Sequence, residues 1–223
     1  LTKNIYNDDQ KLDISNINSF DRIYSSDGIE GGQSTTLGFD YKNIDNGGNE
    51  RINLGLFQVF RDKENKDLPK TTTLDQKYSD IIGRLKLNTS DNLSFQYNFM
   101  LDNNLKDTNL NSISTTIKVN NFVTNFEFLE ERNLIGSKSY ISNNTTYKFD
   151  SKNSIKFGTR KNKEIDLTEF YNLVYEYEND CLRAALEYNK SFYTDDDIKP
   201  EEELFFSITI IPFSKLNSTN LNE

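Results

Sequence analysis

The sequence holds one cysteine among its 223 residues. The stretch "YEYENDCLRAALEYNKSFY" (175–193) puts Cys181 at the edge of a tight turn expected at 178–180, between two alternating segments. One thiol can neither close a disulfide inside the chain nor build a cysteine-rich zinc site. There is no histidine, so the commonest general base and transition-metal ligand is missing, and a histidine-dependent triad is excluded. Asp195, Asp196 and Asp197 invite comparison with a calcium loop, but they lack the ordered spacing and terminal glutamate of an EF-hand and read as a solvated loop. Glu201, Glu202 and Glu203 read as a charged rim before a last strand. The glycine pairs in "DGIEGG" (27–32) and "GGNERINLG" (47–55) match no phosphate-binding fingerprint and read as turns. "TRKNK" (159–163) is a basic strand end, suited either to anionic lipid headgroups or to an ordinary solvated turn. From this set no catalytic residue, metal or cofactor is expected, and the chain does not read as an enzyme.

The elements that must position these residues are strands. "LSFQYNFMLD" (93–102) alternates Leu93, Phe95, Tyr97, Phe99 and Leu101 with mostly polar neighbours, a period of two. The same pattern predicts strands around 37–41, 52–56, 81–87, 113–119, 122–128, 141–149, 155–157, 173–177, 182–188 and 204–210. No 3.6-residue pattern intervenes, so the fold class expected is all-β, an antiparallel meander of about eleven strands.

Composition narrows the setting. Lys+Arg number 26 against Asp+Glu 35, a net charge of −9, which argues against nucleic acid as a partner. Mean hydropathy is −0.74, yet aromatics reach 13%, so a folded chain with much polar surface is expected rather than disorder. No stretch approaches the length of a transmembrane helix, whereas a membrane β-barrel needs only every second residue to be apolar. The chain begins at Leu1 without a basic or apolar leader, and reads as a fragment lacking a signal peptide.

The connections sharpen this. Tight turns at 89–92, 120–121, 150–153 and 178–180 alternate with longer links at 61–78, 103–109, 131–138, 161–168 and 193–202. In a meander alternate connections share one end, so one end should be trimmed and the other elaborated. Outer-membrane barrels have this asymmetry, and a soluble sandwich has no reason for it.

Two segments resemble the carboxy-terminal barrel of the lipopolysaccharide-assembly protein LptD (organic-solvent-tolerance protein) family. They are "INSFDRIYSSDGIEGGQSTTLGFDYKN" (17–43) and, more specifically, "NLVYEYENDCLRAALEYNKSFY" with "EEELFFSITIIPF" (172–193 and 201–213). The resemblance implies that residues 1–223 are the C-terminal part of a large barrel in the outer membrane of a Gram-negative bacterium, with an N-terminal periplasmic domain and further strands elsewhere. It implies insertion of lipopolysaccharide into the outer leaflet through a lateral gate between first and last strands. Leu204, Phe205, Phe206, Ser207, Ile208, Thr209, Ile210, Ile211 and Pro212 would form one lip. Implied partners are lipopolysaccharide, the plug lipoprotein LptE, periplasmic lipopolysaccharide bridge proteins and outer-membrane lipid. Cys181 would bridge to the periplasmic domain; the other reading is a buried small hydrophobe. Well-known members carry adjacent cysteines at this turn, whereas here Asp180 precedes Cys181. A passive porin-type barrel and a secreted β-rich adhesin are the competing functions.

Overall fold

The computed structural model describes residues 10–23, 29–132, 137–192 and 200–210. Eleven strands follow one another: β1 (Ser34–Ile44), β2 (Glu50–Arg61), β3 (Ile81–Ser90), β4 (Leu93–Leu101), β5 (Thr108–Val119), β6 (Phe122–Arg132), β7 (Ser137–Lys148), β8 (Asn153–Asn162), β9 (Leu167–Glu178), β10 (Leu182–Ser191) and β11 (Glu202–Ile210). They form one antiparallel sheet in sequential order, with β1 and β11 at its edges. This is the meander the alternation predicts. The only described helix is a single 3-10 turn at Lys70–Thr72, and no described helix is long and apolar enough to cross a membrane.

The trimmed end is closed by polar side chains that fold back on the turn backbone. Asp45 Oδ1 accepts from the N–H of Gly47 (2.8 Å) and Asn49 (2.9 Å). Asp150 Oδ1 accepts from Lys152 and Asn153 at 2.7 and 2.8 Å. Between β5 and β6 two asparagines suffice, Asn120 taking the left-handed conformation (φ 50°) that this residue type tolerates. The other end is less uniformly elaborated than its sequence suggests. The expected links 131–138 and 161–168 contract to 133–136 and 163–166, as short as 149–152, because the strands run further into polar sequence. Elaboration is concentrated in 62–80 and 192–201.

Register separates two chemically distinct faces. One row runs Tyr41, Leu54, Leu85, Tyr97, Ile113, Phe128, Ile141 across β1 to β7. Another runs Tyr147, Ile155, Tyr175, Leu186, Phe206 across β7 to β11. The opposite face carries the row Lys42, Asn53, Lys86, Gln96, Ser114, Glu127, Ser142, Arg160. A soluble sandwich would bury the apolar rows. Here Leu37, Phe39, Tyr41, Phe126, Phe157, Leu173, Leu186, Phe206 and Ile208 are all exposed on that face.

The buried core lies on the opposite, largely polar side. Leu12, Ile17 and Ile23 from the N-terminal segment and Leu68 and Leu74 from the 62–80 link pack with Phe57, Val59, Ile82 and Met100 of the sheet. Both segments belong to the loop-rich end and fold in over β1 to β5.

Candidate functional site: an edge strand, a turn thiol and a buried clamp

The last strand pairs on one side only. Its ladder with β10 runs from Lys190 opposite Glu202 to Leu182 opposite Ile210, and among the described residues nothing pairs with its other edge. Leu204, Phe206, Ile208 and Ile210 share the apolar face; Phe205, Ser207 and Thr209 share the other. The strand starts earlier than expected: Glu202 and Glu203 are part of it rather than a rim before it, and Glu202 pairs with Lys190 Nζ at 3.3 Å. Ile211, Pro212 and the run Asp195, Asp196, Asp197 lie outside the described residues.

Cys181 sits within the turn between β9 and β10, one residue further along than the predicted turn, and is free and exposed. Asn179 builds this turn: its Oδ1 accepts the N–H of Cys181 (3.0 Å) and of Leu182 (2.8 Å). Exposure removes the buried-hydrophobe reading of the thiol. The turn borders an open groove of about 850 Å³ whose other wall is the 149–152 turn, with Lys148, Lys152, Asp150 and Glu178 along it.

A third constellation joins the N-terminal segment to the sheet. Arg22 donates from Nε to Glu30 Oε2 (2.8 Å) and from Nη2 to Oε1 (2.6 Å), and Arg61 Nη1 donates to the same Oε1 at 2.6 Å. Arg22 also donates to Thr36 Oγ1 (3.0 Å) and Ser34 Oγ, and Arg61 to the carbonyl of Gly31. All three charged side chains are at least 95% buried. Glycine at 32 is required twice over: its φ is +95°, and a Cβ would meet Arg61 Nη2 at 2.9 Å. One carboxylate thus holds two guanidiniums, the fork geometry that arginine supplies and lysine does not.

The 62–80 link adds two buried carboxylates. Asp80 accepts from Asn109 Nδ2 at 2.6 Å, yet burial pushes its pKa up to about 6. Burial also raises that of Asp75, whose Oδ1 has no hydrogen-bond partner. At the exposed turn the opposite holds: the Asn49 amide, with Arg51, draws Asp45 down to about 2.

The family model of LPS transport system D, LptD, matches residues 2–173, most of the chain and all of the clamp. This chain belongs to the LptD family. No curated protein matches it. The LptD match takes in segment 17–43 and β1 to β8, then stops within β9, so Cys181 and the edge strand lie beyond it. Of the two segments that carry the resemblance, the first is therefore the one the family model covers.

Sequence reading located the thiol and the edge strand but missed the clamp. "DGIEGG" reads as a turn, and Glu30 within it is the clamp's hub. Only the Asp21, Arg22, Ile23 segment carried a signal, through the resemblance to LptD. The basic run 159–163 is largely neutralised: Arg160 pairs with Glu169, Lys161 with Asp166 at 2.6 Å, and Lys163 lies 5.2 Å above the Phe128 ring.

Proposed function

We propose that this chain is the C-terminal part of the transmembrane barrel of an outer-membrane translocon in a Gram-negative bacterium, which inserts lipopolysaccharide into the outer leaflet. The observation that carries the reading is the last strand. It presents an apolar face on one side and an unpaired ladder edge on the other. Lipid can cover the first but offers no hydrogen bonds to the second, so the edge must meet another strand within the membrane. A seam that closes by strand pairing alone is the weakest line in such a wall and can open sideways. Lipopolysaccharide then passes with its sugars along the polar face and its acyl chains through the seam. Apolar rows outside and polar rows inside suit that division. Membership of the LptD family supports lipopolysaccharide as the cargo.

In this reading the short turns face the periplasm. Cys181 then lies in an oxidising compartment and bridges to an N-terminal periplasmic domain that receives lipid from the bridge proteins, while LptE plugs the lumen. The chain itself supplies no chemistry, only a path.

The test is a cysteine at Ser207 of β11 opposite a cysteine on the facing first strand of the whole protein. Crosslinking is expected to stop lipopolysaccharide from reaching the cell surface, with recovery on reduction. Undiminished export with the crosslink formed overturns the gate. For Cys181, thiol labelling in native outer membranes is expected only after reduction; labelling without reductant removes the bridge and leaves the barrel standing.

A further inference from the structure

A pocket of about 390 Å³ opens where Asn144, Gly158, Phe170, Asn172, Asn189 and Ser191 meet on the polar face of β7 to β10. Register brings them together: Gly158 stands opposite Asn144 and Asn172, Asn172 opposite Asn189, and Phe170 opposite Ser191. The backbone does not require glycine at 158, since its φ is not positive. The space does: a Cβ there would lie 3.1 Å from Asn144 Oδ1, 3.7 Å from Asn172 Cβ and 3.9 Å from Phe170 Cε2. Glycine thus leaves a floor from which two carboxamides and an aromatic ring rise. Glu187 fixes the carboxamides of the far wall, its Oε1 accepting from Asn172 Nδ2 (2.7 Å) and Asn189 Nδ2 (3.0 Å), while Asn172 Nδ2 also donates to Asn189 Oδ1. That arrangement spends the donors of Asn172 and leaves its Oδ1 as an acceptor. The Asn144 side chain, which is exposed, has no hydrogen-bond partner among the described residues and offers both a donor and an acceptor. Phe170 is held by Arg160, whose guanidinium lies 5.7 Å from the ring centroid and is bound to Glu169, and the ring still lines the pocket.

We propose that this pocket binds the ring of a neutral sugar. Adjacent hydroxyls of a pyranose each donate and accept, which matches the free carboxamide of Asn144 and the acceptor of Asn172. Its C–H face is weakly positive and suits the negative face of the Phe170 ring. An anion is the poorer occupant, because Glu187 stands behind the far wall and Lys190, which borders the pocket, is drawn to Glu202 at 3.3 Å and to the Phe192 ring. A metal ion is poorer still, since no cluster of three or more acidic, histidine or cysteine side chains able to hold one occurs among the described residues. Asn189 lies directly opposite Glu203 of β11, so the Asn172 and Asn189 wall is within about 10 Å of the last strand at ordinary strand spacing. Resting on the gate reading above, the ring is a sugar of the cargo, held on the polar face while the acyl chains cross the seam.

The experiment uses the whole protein in a detergent without a sugar headgroup. The probes are the methyl α-glycosides of glucose, galactose and mannose, read by saturation-transfer NMR. A saturable signal is expected from at least one glycoside. Asn144→Leu should weaken it about tenfold, the loss of one or two hydrogen bonds. Gly158→Ala puts a methyl on the floor against Asn144 Oδ1 and should weaken it as well, so the two variants report independently if one does not fold. No saturable signal from any glycoside, or unchanged affinity in a folded variant of either kind, overturns the pocket. Tighter binding of glucose 6-phosphate than of any glycoside overturns the neutral occupant. Oligosaccharide freed by mild acid from the cells' own lipopolysaccharide should displace the bound glycoside; no displacement overturns the cargo as the source of the ring. Binding involves no transport, so the pocket can stand where the Ser207 crosslink fails to stop export, and can fail where the gate stands.

Discussion

Glu30 decides whether the N-terminal segment stays on the sheet. Glu30→Ala leaves two buried guanidiniums facing each other without a carboxylate, and breaking such a cluster by one member costs about 3–5 kcal/mol. Glu30→Ala is therefore expected to lower the denaturation midpoint of the protein in micelles and to open the bond after Arg22 to trypsin; unchanged cleavage would mean the clamp is not what holds the segment. Asp80 makes a second claim at this scale. Its folded pKa, about 6, lies above the ordinary 3.8, so between those values the folded state binds more protons than the unfolded one. Stability then falls as pH rises through this window and is greatest below it. Amide protection in 62–80, corrected for intrinsic exchange, should be higher at pH 4.5 than at pH 7. Asp80→Asn should flatten the difference and raise protection at pH 7. A pH-independent profile in the unaltered protein would show that Asp80 titrates normally.

Strands were legible because each keeps one face apolar, and the period of two survives every short turn. Strand ends were not. Arg132, Lys161 and Asn162 are strand residues with polar neighbours on both sides, so the alternation that announces a strand vanishes there and ladder hydrogen bonds alone extend it. Which face meets what is testable on adjacent strands. Phe126 on β6 and Ser114 on β5 lie on opposite faces near mid-sheet. Phe126→Lys puts an ammonium on the apolar face, where a charge in a barrel wall costs about 2–4 kcal/mol at mid-membrane. Ser114→Lys puts it beside Glu127, directly opposite on the polar face, where it should be nearly neutral. Unfolding in lipid vesicles, followed by the gel shift of folded barrels, should separate the two variants widely. Equal destabilisation would mean that the apolar rows do not face lipid.

At the scale of the molecule, alternation cannot say whether an apolar face is covered by more protein or by something else; only the register, with a core on the opposite side, decides it. The clamp was hidden for a related reason: Arg22 and Glu30 are eight residues apart and Arg61 lies thirty-one beyond Glu30, so no local pattern announces them. The open sheet carries the last consequence. Its apolar face and the two edges left unpaired among the described residues are separate liabilities, and they respond to different treatments. Expressed alone, this chain is expected to sediment from detergent-free buffer, while micelles, which cover the apolar face, keep it in solution with its β-structure. Micelles cannot pair a ladder edge. Hydrogen exchange in the dissolved chain should therefore be fastest in β1 and β11, each of which lacks one neighbour, and slowest in β4 to β7. A folded, soluble monomer without detergent would instead require the apolar rows to be packed on protein, and would favour an adhesin-like sandwich over a membrane wall.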